Sequence, residues 1–543
     1  MIRIIGGKLY DPINSINGKK TEIWVNENKI FHIGELQGVT PDIVLDARNC
    51  IIFPGGIDIH AHIAGSGVNL ARKLVPEDHR RAFLTGKKET RSGVGYSIPS
   101  TFFTGYQYAM LGYTLVMEAA MPILTAAQTH RELEEIPILD TGAYTLMGNN
   151  LMLLDLIEKE DLKNAKRLIS FLLKTSRGFA IKLVNPCRVL WGKLERDSGN
   201  TDSMAIFPKI VPKKLIAIIS EINEDLKIPS PVHLHCNEIG LPGNFQITLD
   251  SLEAAGENRL HLSHLGFHCY GGKNWNDFHS KTYEIIRYLD EHKNISFDVG
   301  QIAFGDTTTI SADTDWQYFL FRESKGKWIN FDLEGEEGFG IIPYSYRMNN
   351  MVNCIQWAIG LELMLLSDDP WRACLSTDHP NGAPFYFYPQ IIKLLQSKTA
   401  RDEFISKFPD GTKERIHLHK IKREYTLNEI AIVSRVAASQ ILGLKQKGSL
   451  GVGCDADIAI YREDSDPEKM FSSVKHLLKG GEIIIEDGKL RKSTKGKTIF
   501  VDPGKEEEIQ NFLEMAYEVL FSKKIKNMGI PDYLRSSWEK IKC

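Results

Sequence analysis

The stretch Phe53-Pro54-Gly55-Gly56-Ile57-Asp58-Ile59-His60-Ala61-His62, FPGGIDIHAH, carries two histidines one residue apart at the end of an apolar run. Side chains alternate along a strand, so His60 and His62 share one face and Asp58 joins them. Gly55-Gly56 lets the backbone turn tightly just before. A lone histidine is more often packed than bound to metal, but a pair at this spacing after such a turn favours metal.

Working outward, CIIFPGGIDIH is the first of several short apolar runs. TLVMEAA, GFAIKLVNP, PVHLHCN, LHLSHLG, ISFDVG and ACLSTDHP follow, separated in several places by amphipathic stretches such as LLDLIEKEDLKNAKRLISFLLKTS and KTYEIIRYLDEHK. Strand and helix alternating at this spacing imply parallel strands with crossovers. The length suits an α/β fold of the (β/α)8 barrel type with insertions better than an open sheet. No GxGxxG or GxxxxGK[ST] follows any of these runs, so a nucleotide site has no support.

The first fifty residues read as short strands joined by polar turns, as at Asn26-Glu27-Asn28-Lys29, and GEIIIEDGKLRK repeats the pattern near the other end. Two β-rich ends around a long middle predict a small β-sandwich built from both termini. The expected division is sandwich over 1–52, barrel over 53–435, the second part of the sandwich over 436–504 and a helical tail over 505–543. The tail reads as a helix docked on the body rather than a partner-binding arm.

With 43% hydrophobic and 25% charged residues and a net charge of −3, composition is ordinary, and the whole-chain balance favours neither nucleic acid nor an anionic membrane. Eight cysteines lie scattered without a CxxC pair, which suits a reducing compartment and argues against an iron-sulfur cluster or a cysteine-type structural zinc. The start MIRIIGGKLYDP lacks the long apolar core of a signal peptide, and CIQWAIGLELMLLSDD is interrupted by Glu362 before it could span a bilayer. A cytoplasmic protein is expected.

The other strand ends add chemistry. PVHLHCN supplies His233 and His235 on one face, of which His235 lies nearer the strand end and is the better ligand candidate. LHLSHLGFH supplies His261, His264 and His268. In a regular strand His261 and His264 face opposite ways, so His264 is taken as inward, His261 as packing and His268 as a substrate-side or supporting residue. Lys182, inside the apolar run GFAIKLVNP, would be costly as a buried ammonium unless paired or chemically changed, and carboxylation would turn it into a carbamate able to bridge two cations. A lysine reaching a carboxylate or solvent is the plainer alternative. Asp378, in CLSTDHPNG, could exchange a proton with a metal-bound water, although capping a helix is the commoner work of such an aspartate. Asn237 and His379 are further candidates for substrate contact.

Taken together, these residues resemble the binuclear-zinc amidohydrolase superfamily. The long motifs PGGIDIHAHIAGSGVNLARKLVPEDHRRA, GYSIPSTFFTGYQYAMLGYTLVMEAAMP, HLHCNEIGLPGN, HCYGGKNWNDF, DVGQIAFGDTTTISAD and STDHPNGAPF look like the metal-dependent hydrolase component of formylmethanofuran dehydrogenase and of the related bacterial formyltransferase/hydrolase complex. The likeness runs from Met1 to about Gly488. It implies two Zn2+ held by His60, His62, His235, His264 and Asp378, bridged by carboxylated Lys182, with Asp378 also shuttling protons. It further implies an N-formyl amide of methanofuran or a bacterial analogue as substrate, hydrolysed to formate and amine or formed in reverse, and partner subunits that supply any redox centre, since this chain carries no motif for one. A cyclic amidase of the dihydropyrimidinase type shares the metal pattern, and a catalytically silent scaffold is the alternative from outside the enzymes. Whether the parent complex is a dehydrogenase or a hydrolase stays open at this level.

Overall fold

The computed structural model describes residues 1–88, 90–187, 210–330, 338–504, 524, 528–531 and 538–543. Its centre is a parallel sheet of eight strands in chain order: β1 (Gly56–Ala61), β2 (Tyr113–Met121), β3 (Asp140–Leu146), β4 (Ala180–Val184), β5 (Val232–His235), β6 (Leu260–Leu262), β7 (Ile295–Asp298) and β8 (Ala373–Cys374). A parallel bridge between Ala61 and His379 brings the first strand back toward the end of the last, so that the barrel is nearly closed. Helices such as Leu162–Ser176 and Thr282–Glu291 follow the strands and turn apolar stripes inward, their leucines and isoleucines joining one large buried cluster with the strand residues.

One strand was not among the apolar runs of the sequence. β3, DTGAYTL, is buried at every position yet carries Asp140, Thr141 and Thr145, which break its apolar pattern. Its aspartate is satisfied from far away: Lys447 and Lys479 both reach Asp140 Oδ2, at 2.5 and 2.7 Å, and both also bond Asp457.

Strands from both chain ends form two further sheets. One has four strands, Ile2–Ile5, Ile23–Asn26, Lys29–Ile33 and Ile43–Asp46. The other has seven and mixes the ends directly, with Cys50–Pro54 antiparallel to Ile458–Arg462. Ile4, Leu9, Ile52, Ile458, Ile460 and Leu478 share a separate small core between them. FPGGIDIHAH is therefore the splice: Phe53-Pro54 ends a sandwich strand and Gly56 opens a barrel strand. A Cβ on Gly55 would stand 2.2 Å from Thr114 Oγ1, so only glycine lets the chain cross from one layer to the other there.

The chain end departs from the expected helical tail. Trp538–Lys542 is a strand, parallel to Thr498–Asp502, which touches the barrel at Thr141 rather than joining the sandwich. Most of the expected tail helix lies outside the described residues. CIQWAIGLELMLLSDD is the buried helix Met351–Leu366, and Glu362 within it accepts from Ser280 and Thr282 hydroxyls and from the His417 and Leu418 amides. Among the described residues no helix is long and apolar enough to cross a membrane. Between β7 and β8 an antiparallel hairpin, Gly305–Ser311 with Gly340–Tyr346, is inserted at the C-terminal end of the barrel.

Candidate active site

Strand β1 delivers His60 and His62 to the C-terminal mouth of the barrel, and the loop after β8 brings Asp378 over them. Asp378 Oδ1 lies 3.2 Å from His60 Nε2 and 3.4 Å from His62 Nε2. His264 stands beside them, its ring centre 5.1 Å from that of His60, and its Nε2 is 2.9 Å from His235 Nδ1. His60, His264 and Asp378, all buried, each place a donor atom within 4.8 Å of the others. Lys182, on β4, is also fully buried and donates to Ser263 Oγ at 2.6 Å.

His264 corrects the alternation argument. Strand β6 ends at Leu262, and His264 follows in a left-handed turn with φ of 37°. Both His261 and His264 therefore reach the interior, in different layers. His261 bonds Asp298 at 3.2 Å and lies 4.6 Å from the ring of His233. His233 in turn stacks on Tyr144 at 3.9 Å and bonds Ser230, below the mouth, whereas His235 touches His264. Asp58 also stays out of the cluster, held by the hydroxyls of Tyr108 and Tyr388 at 2.8 and 2.6 Å, and burial lifts its pKa to about 6.

Three carboxylates outside the residues picked from the sequence aim the histidines. Asp298, at the end of β7, accepts from His60 Nδ1 at 3.1 Å, from the His264 amide at 3.0 Å and from Ser376 Oγ at 2.5 Å. Glu118, on β2, takes the Ile63 and Ala64 amides at 2.7 and 2.9 Å and faces His62 Nδ1 at 3.5 Å. Asp313, just past the first hairpin strand, meets His235 Nε2 at 3.0 Å. A carboxylate behind a ligating imidazole fixes its tautomer and orientation. The one signal that could find them is an acidic residue within or ending an apolar strand, present for Glu118 inside β2 and Asp298 at the end of β7 and absent for Asp313.

Electrostatics follow the packing. Burial drives the Lys182 pKa down to about 8. Burial also opposes charge on Asp378 and Asp298, but neighbouring histidines, His264 and His60 for the first and His60 and His261 for the second, more than offset it and hold both carboxyls well below their usual range. Against the same penalty, Asp378 and Glu118 raise the His62 pKa to about 9.

A bound metal suits these donors on two counts. Asp378 Oδ1 and His264 Nδ1 are buried with no hydrogen-bond partner among the described residues, which is expensive unless something else takes them. Imidazoles with a carboxylate, converging at barrel strand ends, are the donor set of catalytic zinc.

The cluster floors a cavity of about 90 Å3 with Val68, Leu146, Ile239, Phe267, Trp316 and Phe339 among its apolar walls. His60, His62, Lys182, His235, His264 and Asp378 all line it. The three substrate-contact candidates lie behind its surface. His268 stacks on His264 at 5.2 Å, His379 packs edge-on against Phe385, and Asn237 donates to the Pro186 carbonyl.

The sequence matches the Amidohydrolase family over residues 44–485. It is 40% identical to protein FwdA of Methanocaldococcus jannaschii, covering 99% of this chain and 98% of that one. It is 34% identical to the FhcA component of the formyltransferase/hydrolase complex Fhc of Methylorubrum extorquens, covering 98% and 97%. The crystal structure of the FhcABCD complex from that organism, determined with methylofuran, contains a chain that superposes with a TM-score of 0.90 at 33% identity, covering 100% of this chain and 99% of that one. D-aminoacylase shares the fold, with a TM-score of 0.53 at 13% identity, covering 91% and 99%.

Proposed function

Because the chain belongs to the amidohydrolase family, alongside proteins FwdA and FhcA, we propose that it hydrolyses the amide of an N-formylated methanofuran-type carrier to formate and free amine, or runs the reverse condensation. It works as one component of a multi-chain complex of the FhcABCD kind, which in the similar structure holds methylofuran. The observation that carries this reading is the buried convergence of His60, His264 and Asp378 at the floor of an apolar cavity.

His60, His62, His235, His264 and Asp378, with Lys182 as a carbamate between them, would hold two zinc ions. Zinc bound there supplies Lewis acidity, acidifying water and polarising a carbonyl. The carbamate forms when neutral Lys182 Nζ attacks CO2 and loses a proton, and a buried amine with a lowered pKa offers that neutral form. Asp378 accepts the proton of the attacking water at Oδ1 and delivers it to the departing nitrogen, so the C–N bond breaks without expelling an amide anion. The apolar walls exclude bulk water and receive the flat, weakly polar group that bears the amine. Oxidation of formate or reduction of CO2 is assigned to a partner chain, because the sequence carries no CxxC pair or cysteine cluster to hold a redox centre.

The test is the fate of carbon-labelled N-formyl carrier given to the native complex with an electron acceptor. Labelled formate, with the acceptor still oxidised, supports a hydrolase complex. Labelled CO2 with a reduced acceptor assigns the amide step to a dehydrogenase complex, and recovery of intact substrate in either case refutes the reading.

A further inference from the structure

Asp378 has two carboxylate oxygens, and the structure treats them differently. Oδ1 faces His60 and His62 and accepts no hydrogen bond among the described residues. Oδ2 accepts from Asn381 Nδ2 at 2.9 Å. The other end of the same amide is also used: Asn381 Oδ1 accepts the Ile310 amide at 2.6 Å, which fixes which way round the side chain sits. The Asn381 amide donates to the Asp378 carbonyl at 2.5 Å, closing a tight turn around Asp378, whose φ of 48° is in the left-handed region. Asn381 is buried and lines the cavity.

Ile310 belongs to the hairpin strand Gly305–Ser311, which also supplies Thr309 and Ser311 to the cavity wall and leads into Asp313, the partner of His235. That strand is further pinned to the same loop by Thr307, whose hydroxyl donates to the Pro380 carbonyl.

We propose that Asn381 is a positioning residue that occupies Oδ2 of Asp378, leaves Oδ1 as the single oxygen available for metal and proton, and ties that orientation to the hairpin wall against which the substrate lies. The inference rests on the proposed amide hydrolysis. A carboxylate with both oxygens free could rotate about its Cβ–Cγ bond or turn both toward the metals, and either would take the proton-carrying oxygen out of line. One donated hydrogen bond prevents this, and the second, from Ile310, stops the amide from following the carboxylate.

Two substitutions separate positioning from simple support of the wall. Asn381→Asp keeps an acceptor for the Ile310 amide and almost the same volume, but turns an oxygen toward Asp378 Oδ2 where a donor stood. Asn381→Ala removes both bonds. The full chain is assayed in its native complex with wild type in parallel, reading kcat, KM and zinc per chain. Expected are two zinc ions retained in both variants, kcat down at least 10-fold in both, and KM raised appreciably only in Asn381→Ala, where the wall also loosens. Wild-type kcat within twofold in Asn381→Asp overturns the proposal in favour of a wall role alone. Zinc loss in proportion to kcat overturns it in favour of a metal-retention role. Wild type that releases no formate is a different failure, that of the hydrolysis reading.

Discussion

Replacing Lys182 by Met should make the metal-stripped chain more stable while ending its ability to load zinc. The ammonium is fully buried, and burial lowers its pKa from 10.5 to about 8, a shift that corresponds to about 3 kcal/mol against keeping the charge at neutral pH. Its hydrogen bond to Ser263 Oγ, at 2.6 Å, returns part of this, since stranding that hydroxyl costs about 1 kcal/mol. Methionine fills a similar volume without the charge. The net expectation at pH 7, with CO2 and bicarbonate excluded, is a gain of about 2 kcal/mol for Lys182→Met. Because the folded pKa lies below the unfolded one, the wild-type penalty is complete below about pH 8 and fades as pH rises toward 10.5. Urea titrations of both chains at pH 7 and pH 10 measure the difference, and pH effects from other groups cancel between them. A variant less stable than wild type at pH 7, or a gap unchanged at pH 10, refutes the burial argument. Zinc loaded normally by the variant refutes the carbamate.

Asp378→Asn keeps the side chain's size and should retain most zinc while losing turnover by about 10²- to 10⁴-fold; near-normal turnover removes Asp378 from proton transfer. Glu118→Gln weakens the hold on His62 and on the Ile63 and Ala64 amides, and chelator competition should show zinc affinity down about 10- to 100-fold, with no change refuting the orienting role. Asp140→Ala leaves Lys447 and Lys479, both buried, to share Asp457 and Asp455, at a cost of about 3–5 kcal/mol in denaturant titration, and a loss below about 1 kcal/mol contradicts it. In that network burial works against every charge, but Asp140 and Asp457 lift the Lys447 pKa while Lys447 and Lys479 depress that of Asp457. Its stabilisation in wild type should therefore hold from about pH 4 to about pH 10, fading at lower pH as Asp457 protonates and at higher pH as Lys447 loses its proton.

What could be read in the chain divides according to how far each residue's partner lies along it. His60 and His62 declare themselves because the two-residue period of a strand is local, and Gly55-Gly56 marks the crossing between layers because a clash with Thr114 bars any Cβ. The same period misled at His261, which it set facing away from His264, since parity holds only while the strand continues and β6 stops at Leu262. β3 escaped notice because the charge that spoils its apolar pattern is neutralised by Lys447 and Lys479, more than three hundred residues on. Asp298 and Asp313 share that property: each takes its role from a histidine on another strand, and no spacing within a single segment encodes the meeting; Asn381 lies three residues from Asp378, but its orientation depends on Ile310 of the hairpin. A sequence thus displays the donors that a strand end presents. The groups that aim those donors are chosen by tertiary contact, so the aiming carboxylates and Asn381 emerge only once the barrel is folded.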